Sequence, residues 1–264
     1  MTLDDVFARA RREKRLAFVP YVMAGDPDLE TTEAILLELS SAGADVIELG
    51  VPYSDPLADG PTIAAAGQRA LGGATHLRGV LALARECRER CAPIVLFTYY
   101  NPVYQFGVER FASEAAAAGI AGAIVPDVAL EESAELRAAL AARGLAMPLL
   151  VAPSTPHERA ARIAGAATGF VYVVSRLGVT GAGHAPDFAP LRRQLASLRE
   201  LTNKPLAVGF GMSRPQDVRD VGSLADAIVV GSALIDSYAG TRAQDAATRV
   251  RNFVAPLIAA LGAA

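Results

Sequence analysis

Residues 45–63, DVIELGVPYSDPLADGPTI, set a short apolar run containing one glutamate, Glu48, ahead of a loop rich in proline, glycine and aspartate. The branched residues around Glu48 favour an extended strand. Burial without a partner disfavours the charged form of an acid, so a glutamate inside Val46-Ile47-Glu48-Leu49-Gly50-Val51 is neutralised, paired or used.

Working outward, similar runs recur along the chain. The predicted strands are 17–22, 45–49, 93–98, 122–125, 147–151, 170–174, 205–208 and 227–230. Helix-like stretches lie between them, including TTEAILLELSSAG, LRGVLALARECRER, VERFASEAAAAG, LEESAELRAALAARG, HERAARIAGA, FAPLRRQLASLREL and RPQDVRDVG. Gly43, Gly119 and Gly144 stand where such helices end. Eight strand–helix repeats without a Ser/Pro-rich linker predict one (β/α)8 TIM barrel over residues 1–264, with an extra N-terminal helix. A doubly wound open sheet fits less well, because the first strand runs into Met23-Ala-Gly-Asp-Pro-Asp28 and not into a Gly-x-Gly-x-x-Gly turn.

The 264 residues are 52 % hydrophobic, ample for a large core, and carry a formal net charge of −3 with scattered basic residues. That balance gives no electrostatic footprint for nucleic acid or an anionic membrane. The N-terminus has no apolar h-region, and apolar runs are broken before membrane-spanning length, so a cytoplasmic location is expected. Cys87 and Cys91, four apart in RECRERCA, are read onto one helical face and not into a disulfide framework.

Barrel enzymes gather their sites on loops after the C-terminal strand ends. On that rim the sequence sets Tyr21, Asp26, Glu48, Asp55, Asp59, Thr98 to Asn101, Asp127, Ser154, Tyr172, Gly209 to Ser213, Gly231 and Ser232. Alternation puts Glu48 with Val46 and Gly50, and an acid against packed helices would be hard to satisfy, so Glu48 is oriented inward. It reads either as a catalytic acid/base or as a structural acid paired to an arginine or backbone amide. Asp59 reads first as a loop cap, in a shaped loop able to bring a second carboxylate toward Glu48.

Glycine-rich segments follow the sixth, seventh and eighth strands: residues 176–183, 209–213 and 231–233. In barrels this is where backbone N–H groups and a short helix cradle a phosphate. Lys14 and Lys204, the only lysines, precede strands and stand away from the catalytic rim, which argues against imine chemistry. His76, His157 and His184 show no metal-ligand spacing, and His184 reads as exposed. A barrel of this kind that breaks a carbon–carbon bond must take its electron sink from the substrate, for instance a ring protonated to a cationic imine.

The segments FVPYVMAGDPD, ELGVPYSDPLADGPTI, YYNPVYQFG, VPDVALEES, SRLGVTGA, GFGMSRPQDV and GSALI resemble, in order, the signature segments of the tryptophan synthase α subunit family, from about Phe18 to Ile235. The resemblance implies a barrel lyase that cleaves indole-3-glycerol phosphate to indole and glyceraldehyde 3-phosphate. Glu48 is then the implied acid/base and Asp59 the carboxylate that holds the indole N–H. Implied substrate contacts are Tyr21, Ile63, Phe97, Ile124, Tyr172 and Thr180, with phosphate at Gly181, Gly211, Gly231 and Ser232. Residues 176–187 correspond to a lid. Asp55 and Pro56 correspond to residues that meet a β subunit, which carries pyridoxal phosphate in an α2β2 heterotetramer; no cofactor or metal is implied for this chain. Tyr21 stands where phenylalanine often occurs, and Gly183-His184 departs from the charged residue expected there. A stand-alone indole-releasing lyase, another phosphate-barrel isomerase and a non-catalytic partner of the β subunit are the alternatives.

Overall fold

The computed structural model describes residues 2–175, 188–209 and 211–262. Among these, eight parallel strands form the barrel: β1 (Ala17–Met23), β2 (Ile47–Gly50), β3 (Ile94–Phe97), β4 (Gly122–Ile124), β5 (Leu149–Val151), β6 (Val171–Val174), β7 (Leu206–Gly209) and β8 (Ala227–Val230). The helices are α1 (Leu3–Arg12), α2 (Leu29–Ala42), α3 (Pro61–Gly72), α4 (Leu77–Cys87), α5 (Tyr100–Phe106), α6 (Val108–Ala117), α7 (Ala134–Ala141), α8 (His157–Ala166), α9 (Ala189–Leu201), α10 (Pro215–Val221), α11 (Ser232–Tyr238) and α12 (Ala243–Ala260). Among the described residues no helix is long and apolar enough to cross a membrane.

The strands run in the order β4-β3-β2-β1-β8-β7-β6-β5. A bridge between Gly122 and Ala146, just before β5, joins the two ends of that series. Strand residues are buried almost throughout, as expected when one face meets the barrel interior and the other the helices. The expected N-terminal helix is α1, with Thr2 and Asp5 in a reciprocal capping box. Gly43 takes a left-handed conformation after α2, as its place in the sequence predicts. Local pattern left α3, α5, α11 and α12 undrawn. α5 and α11 are seven residues each, too short for a periodic signal. The helix expected over RECRERCA also ends early: α4 stops at Cys87, and Cys91 lies in the following turn.

Asp45 and Asp226 hold ion pairs where the chain enters the strands. Asp45, 1 % exposed, accepts hydrogen bonds from Arg15 at 2.6 and 2.8 Å, Arg9 at 2.8 Å and the Phe18 N–H at 3.0 Å. Burial pushes this carboxyl up, but those donors outweigh it and hold the pKa below the ordinary value. Lys204 donates to the Ala164, Gly165 and Ala167 carbonyls at 2.6 to 2.9 Å, closing the C-terminal end of α8. Its amine is therefore structural, as its position before β7 suggested.

A depressed carboxylate contributes stability that is present above its unfolded pKa and lost as pH falls through the folded one. Asp45→Asn is expected to lower the unfolding free energy by about 2 kcal/mol at pH 7, less than a fully buried pair because both arginines reach solvent. Denaturant melts at pH 7 and pH 3 check this: the gap between wild type and variant should shrink at pH 3.

Candidate active site

β1 and β2 pair with Tyr21 opposite Glu48, and β2 and β3 with Glu48 opposite Val95, so these three side chains share a face. The face is the interior. Tyr172, on β6 across the barrel, senses the charge of Glu48, and only inward-facing residues of non-adjacent strands can meet that way. Glu48 is 1 % exposed, and both carboxyl oxygens are buried without a hydrogen-bond partner. Burial alone pushes its pKa up to about 8. The arginine or amide that a structural acid would need is not there among the described residues.

The pocket around it is apolar and aromatic. Tyr21 meets Phe97 edge to face at 5.8 Å between centroids, a favoured arrangement. Ile124 lies beside Phe97 in the β3–β4 register and is fully buried. Ile63, near the start of α3, approaches Gly231 together with Tyr21. Two strand-end glycines make room for the tyrosine hydroxyls: a Cβ on Gly50 would fall 2.2 Å from the Tyr21 oxygen, and one on Gly209 would fall 2.2 Å from the Tyr172 oxygen. Neither position tolerates a side chain while the tyrosine keeps its place.

Asp59 lies half-buried in the β2–α3 loop. Its Oδ1 accepts a hydrogen bond from the Tyr99 hydroxyl at 2.9 Å, and that hydroxyl accepts the Ala58 N–H at 2.9 Å. Burial raises the Asp59 pKa and the Tyr99 bond offsets part of the rise. The Tyr99 ring rests on Tyr53, 5.2 Å between centroids. The two acids converge on Tyr21, whose hydroxyl pKa is driven up first by burial and then by the charges of Asp59 and Glu48. Tyr99 falls within the rim segment Thr98 to Asn101 read from the sequence, but its bond to Asp59, 40 residues away in another loop, had no local signal.

Next to Tyr21 on the rim, Gly231 caps the start of α11 and Ser232 is its first residue. Gly211 has φ +87° in the turn after β7. Asp217, 1 % exposed, holds that turn by accepting the Ser213 and Arg214 N–H groups at 3.1 and 2.9 Å. First-turn amides of a helix lack internal acceptors and favour anions. Thr180, Gly181 and the whole of residues 176–187, His184 included, lie outside the described residues. Asp55 and Pro56 stand on the outer side of the β2–α3 loop beside Leu57, which is 85 % exposed. No group of His, Cys and carboxylates able to hold a metal occurs among the described residues.

A barrel with this rim has close counterparts. The family described as "Tryptophan synthase alpha chain" matches residues 7–260. The chain belongs to the tryptophan synthase α chain family. The α chain of Prochlorococcus marinus (strain MIT 9313) is 50 % identical over 240 residues, covering 90 % of this chain and 87 % of that one. The crystal structure of tryptophan synthase subunit alpha from Legionella pneumophila str. Paris superposes with a TM-score of 0.90 at 31 % identity, over 100 % of both chains. Mycobacterium tuberculosis tryptophan synthase in space group F222 gives 0.90 at 36 %, covering 98 % of this chain and 97 % of that one. Tryptophan synthase α chains are carbon–carbon lyases of tryptophan biosynthesis that cleave indole-3-glycerol phosphate.

The raised Glu48 pKa has a thermodynamic sign. Its neutral form is favoured by folding, so stability from this group is complete below the unfolded pKa and declines as pH rises, levelling off above about 8. Wild type should lose about 3 kcal/mol more unfolding free energy between pH 5 and pH 8 than Glu48→Gln. Parallel urea titrations test it; equal losses would contradict the burial argument. Tyr99→Phe removes the donor to Asp59 and should cut indole formation about tenfold with little change in KM, measured by steady-state kinetics.

Proposed function

We propose that this chain carries out its family's cleavage of indole-3-glycerol phosphate with Glu48 as the proton-transfer group and Asp59 as the anchor of the indole nitrogen. The observation that carries the reading is the partnerless Glu48 carboxyl, buried among Tyr21, Tyr172 and Phe97 with a pKa near the operating pH. A general acid/base works best with such a pKa.

In this reading the indole ring occupies the space bounded by Tyr21, Ile63, Phe97, Ile124 and Tyr172, and the phosphate sits at Gly211, Gly231 and Ser232, with Gly181 and Thr180 contributing from the lid. Neutral Glu48 protonates indole C3. The ring becomes a cationic imine, and the carboxylate of Asp59, oriented by Tyr99, accepts the N–H hydrogen bond and stabilises the developing charge. That cation is the electron sink, so neither a lysine imine nor a metal is required. Glu48, now charged, takes the proton of the glycerol hydroxyl next to the scissile bond. The carbon–carbon bond then breaks to give indole and glyceraldehyde 3-phosphate. A carboxyl whose burial penalises its charge is pulled back toward the neutral form, ready for the next turnover.

The products and the exposed side of the same loop suggest a partner. Asp55, Pro56 and the exposed Leu57 offer a surface beside the active-site loop, suited to a tryptophan synthase β subunit, to which indole is passed within an α2β2 heterotetramer. Pyridoxal phosphate belongs to that subunit. Docking at residues 55–57 would bear directly on Asp59, two residues further along, which gives the partner a short route to the catalytic carboxylate.

Glu48→Gln should abolish indole release, by three orders of magnitude or more, while leaving the Kd for indole-3-glycerol phosphate within a few-fold. Asp59→Asn should reduce kcat by about 10²–10³ with a smaller effect on KM. Adding a cognate β subunit should raise the wild-type rate. Near-normal turnover by the Gln variant would sink the assignment of Glu48, and an unchanged rate and elution volume with β subunit would point to a self-sufficient lyase.

A further inference from the structure

The two cysteines lie at the opposite end of the barrel from the rim, where α4 gives way to the turn that leads into β3. We propose that Cys91 and Cys87 form a peroxide-sensitive dithiol site, in which Cys91 is oxidised first and Cys87 closes a reversible disulfide. The geometry is built by the helix end. α4 stops at Cys87, yet the Cys91 N–H donates to the Cys87 carbonyl at 2.9 Å, so the chain makes one more turn and brings the side chains back together. That bond sets the two side chains on one side of the turn. Cys87 is fully buried and Cys91 reaches solvent, an asymmetry that exposes one sulfur to a small oxidant and keeps the other in reserve.

The surroundings favour Cys91 as the attacking thiolate. The Ser40 hydroxyl, from α2, lies beside it and accepts the Ala92 N–H at 2.9 Å, fixing the segment against that helix. Arg90 is the nearby cation, and Glu33 of α2, which opposes it electrostatically, is itself paired to Arg90. Cys87 comes first among the neighbours that pull the Cys91 thiol down to about 7, while Cys91 and burial push Cys87 up. A disulfide needs Cβ atoms about 3.5–4.5 Å apart, closer than the roughly 5–6 Å of residues four apart on a helix. The residue that must move is Cys91, which lies past the end of α4; its N–H bond to the Cys87 carbonyl and the neighbouring Ala92 bond to Ser40 must give for the disulfide to close.

The oxidant is a hydroperoxide. The Cys91 thiolate attacks its outer oxygen, the O–O bond breaks, and the departing hydroxide or alkoxide takes a proton to leave as water or alcohol; Cys91 becomes a sulfenic acid. The Cys87 sulfur then attacks the Cys91 sulfur, the S–O bond breaks, and the hydroxyl leaves as water with the Cys87 proton. Two thiols lose two electrons in all, and one hydroperoxide is reduced. The chain has only these two cysteines, so the sulfenic acid has one resolving thiol within the molecule, one turn away.

The test uses the full-length protein and hydrogen peroxide, followed by thiol alkylation and intact-mass measurement. Wild type should lose both alkylatable thiols and two hydrogens in mass, remain monomeric on a non-reducing gel, and recover both thiols with dithiothreitol. Cys87→Ala, or Cys87→Ser if the alanine variant fails to fold, should trap a dimedone-reactive sulfenic acid mapped to Cys91. Cys91→Ala should label at Cys87 about tenfold more slowly. Two thiols still alkylatable after peroxide, intermolecular disulfide in place of the internal one, or equally fast dimedone labelling of Cys87 would overturn the proposal.

Discussion

The burial of Glu48 without a hydrogen-bond partner is the constraint to which the rest of the rim answers. A carboxyl in that position disfavours its own negative charge, and folding tolerates it because it is neutral over most of the physiological range. The cost is visible in what stands around it. Gly50 and Gly209 give up their side chains so that the Tyr21 and Tyr172 hydroxyls fit over the strand ends, and Phe97 and Ile124 complete an apolar wall. In the proposed mechanism an indole ring supplies the proton acceptor that the protein withholds.

Asp45 and Glu48 lie three residues apart and are equally buried, yet their chemistry is opposite. Asp45 precedes the strand, meets two arginines and a backbone N–H, and is held charged. Glu48 points into the barrel, meets no donor among the described residues, and is pushed toward the neutral form. The difference is one of position along the strand: Asp45 stands at the N-terminal end, where two arginines reach it, and Glu48 faces the barrel interior, where no donor among the described residues meets it. Lys204, which bonds the carbonyls at the end of α8, is satisfied as Asp45 is, and on the opposite rim Asp59 accepts the Tyr99 hydroxyl.

Much of this was legible from residues alone. The eight strands followed from runs of branched apolar residues, and the inward orientation of Glu48 from alternation and the difficulty of satisfying an acid between helices. Asp59 was ambiguous as sequence, because Asp in a Pro/Gly loop is usually a turn residue; its environment comes from Tyr99, far along the chain. Asp217 stood in the sequence only as part of the helix-like stretch RPQDVRDVG, and its hold on the turn after Gly211 needed three dimensions. Short helices such as α11 carry too few residues for a periodic signal. The cysteine pair shows the reverse case: the spacing of four was read correctly, but the helix end between the two residues, on which their asymmetry depends, was not.

The measurement that bears most directly on the account is a titration of the Glu48 carboxyl itself, by carbon NMR of protein labelled at glutamate side-chain carboxyls with Glu48→Gln for assignment. A midpoint near 8 in the unliganded chain is the predicted result. A midpoint near 4.5, the ordinary value for a glutamate, would mean that Glu48 is charged and solvated in the resting enzyme, and the acid that starts the reaction would have to be sought elsewhere.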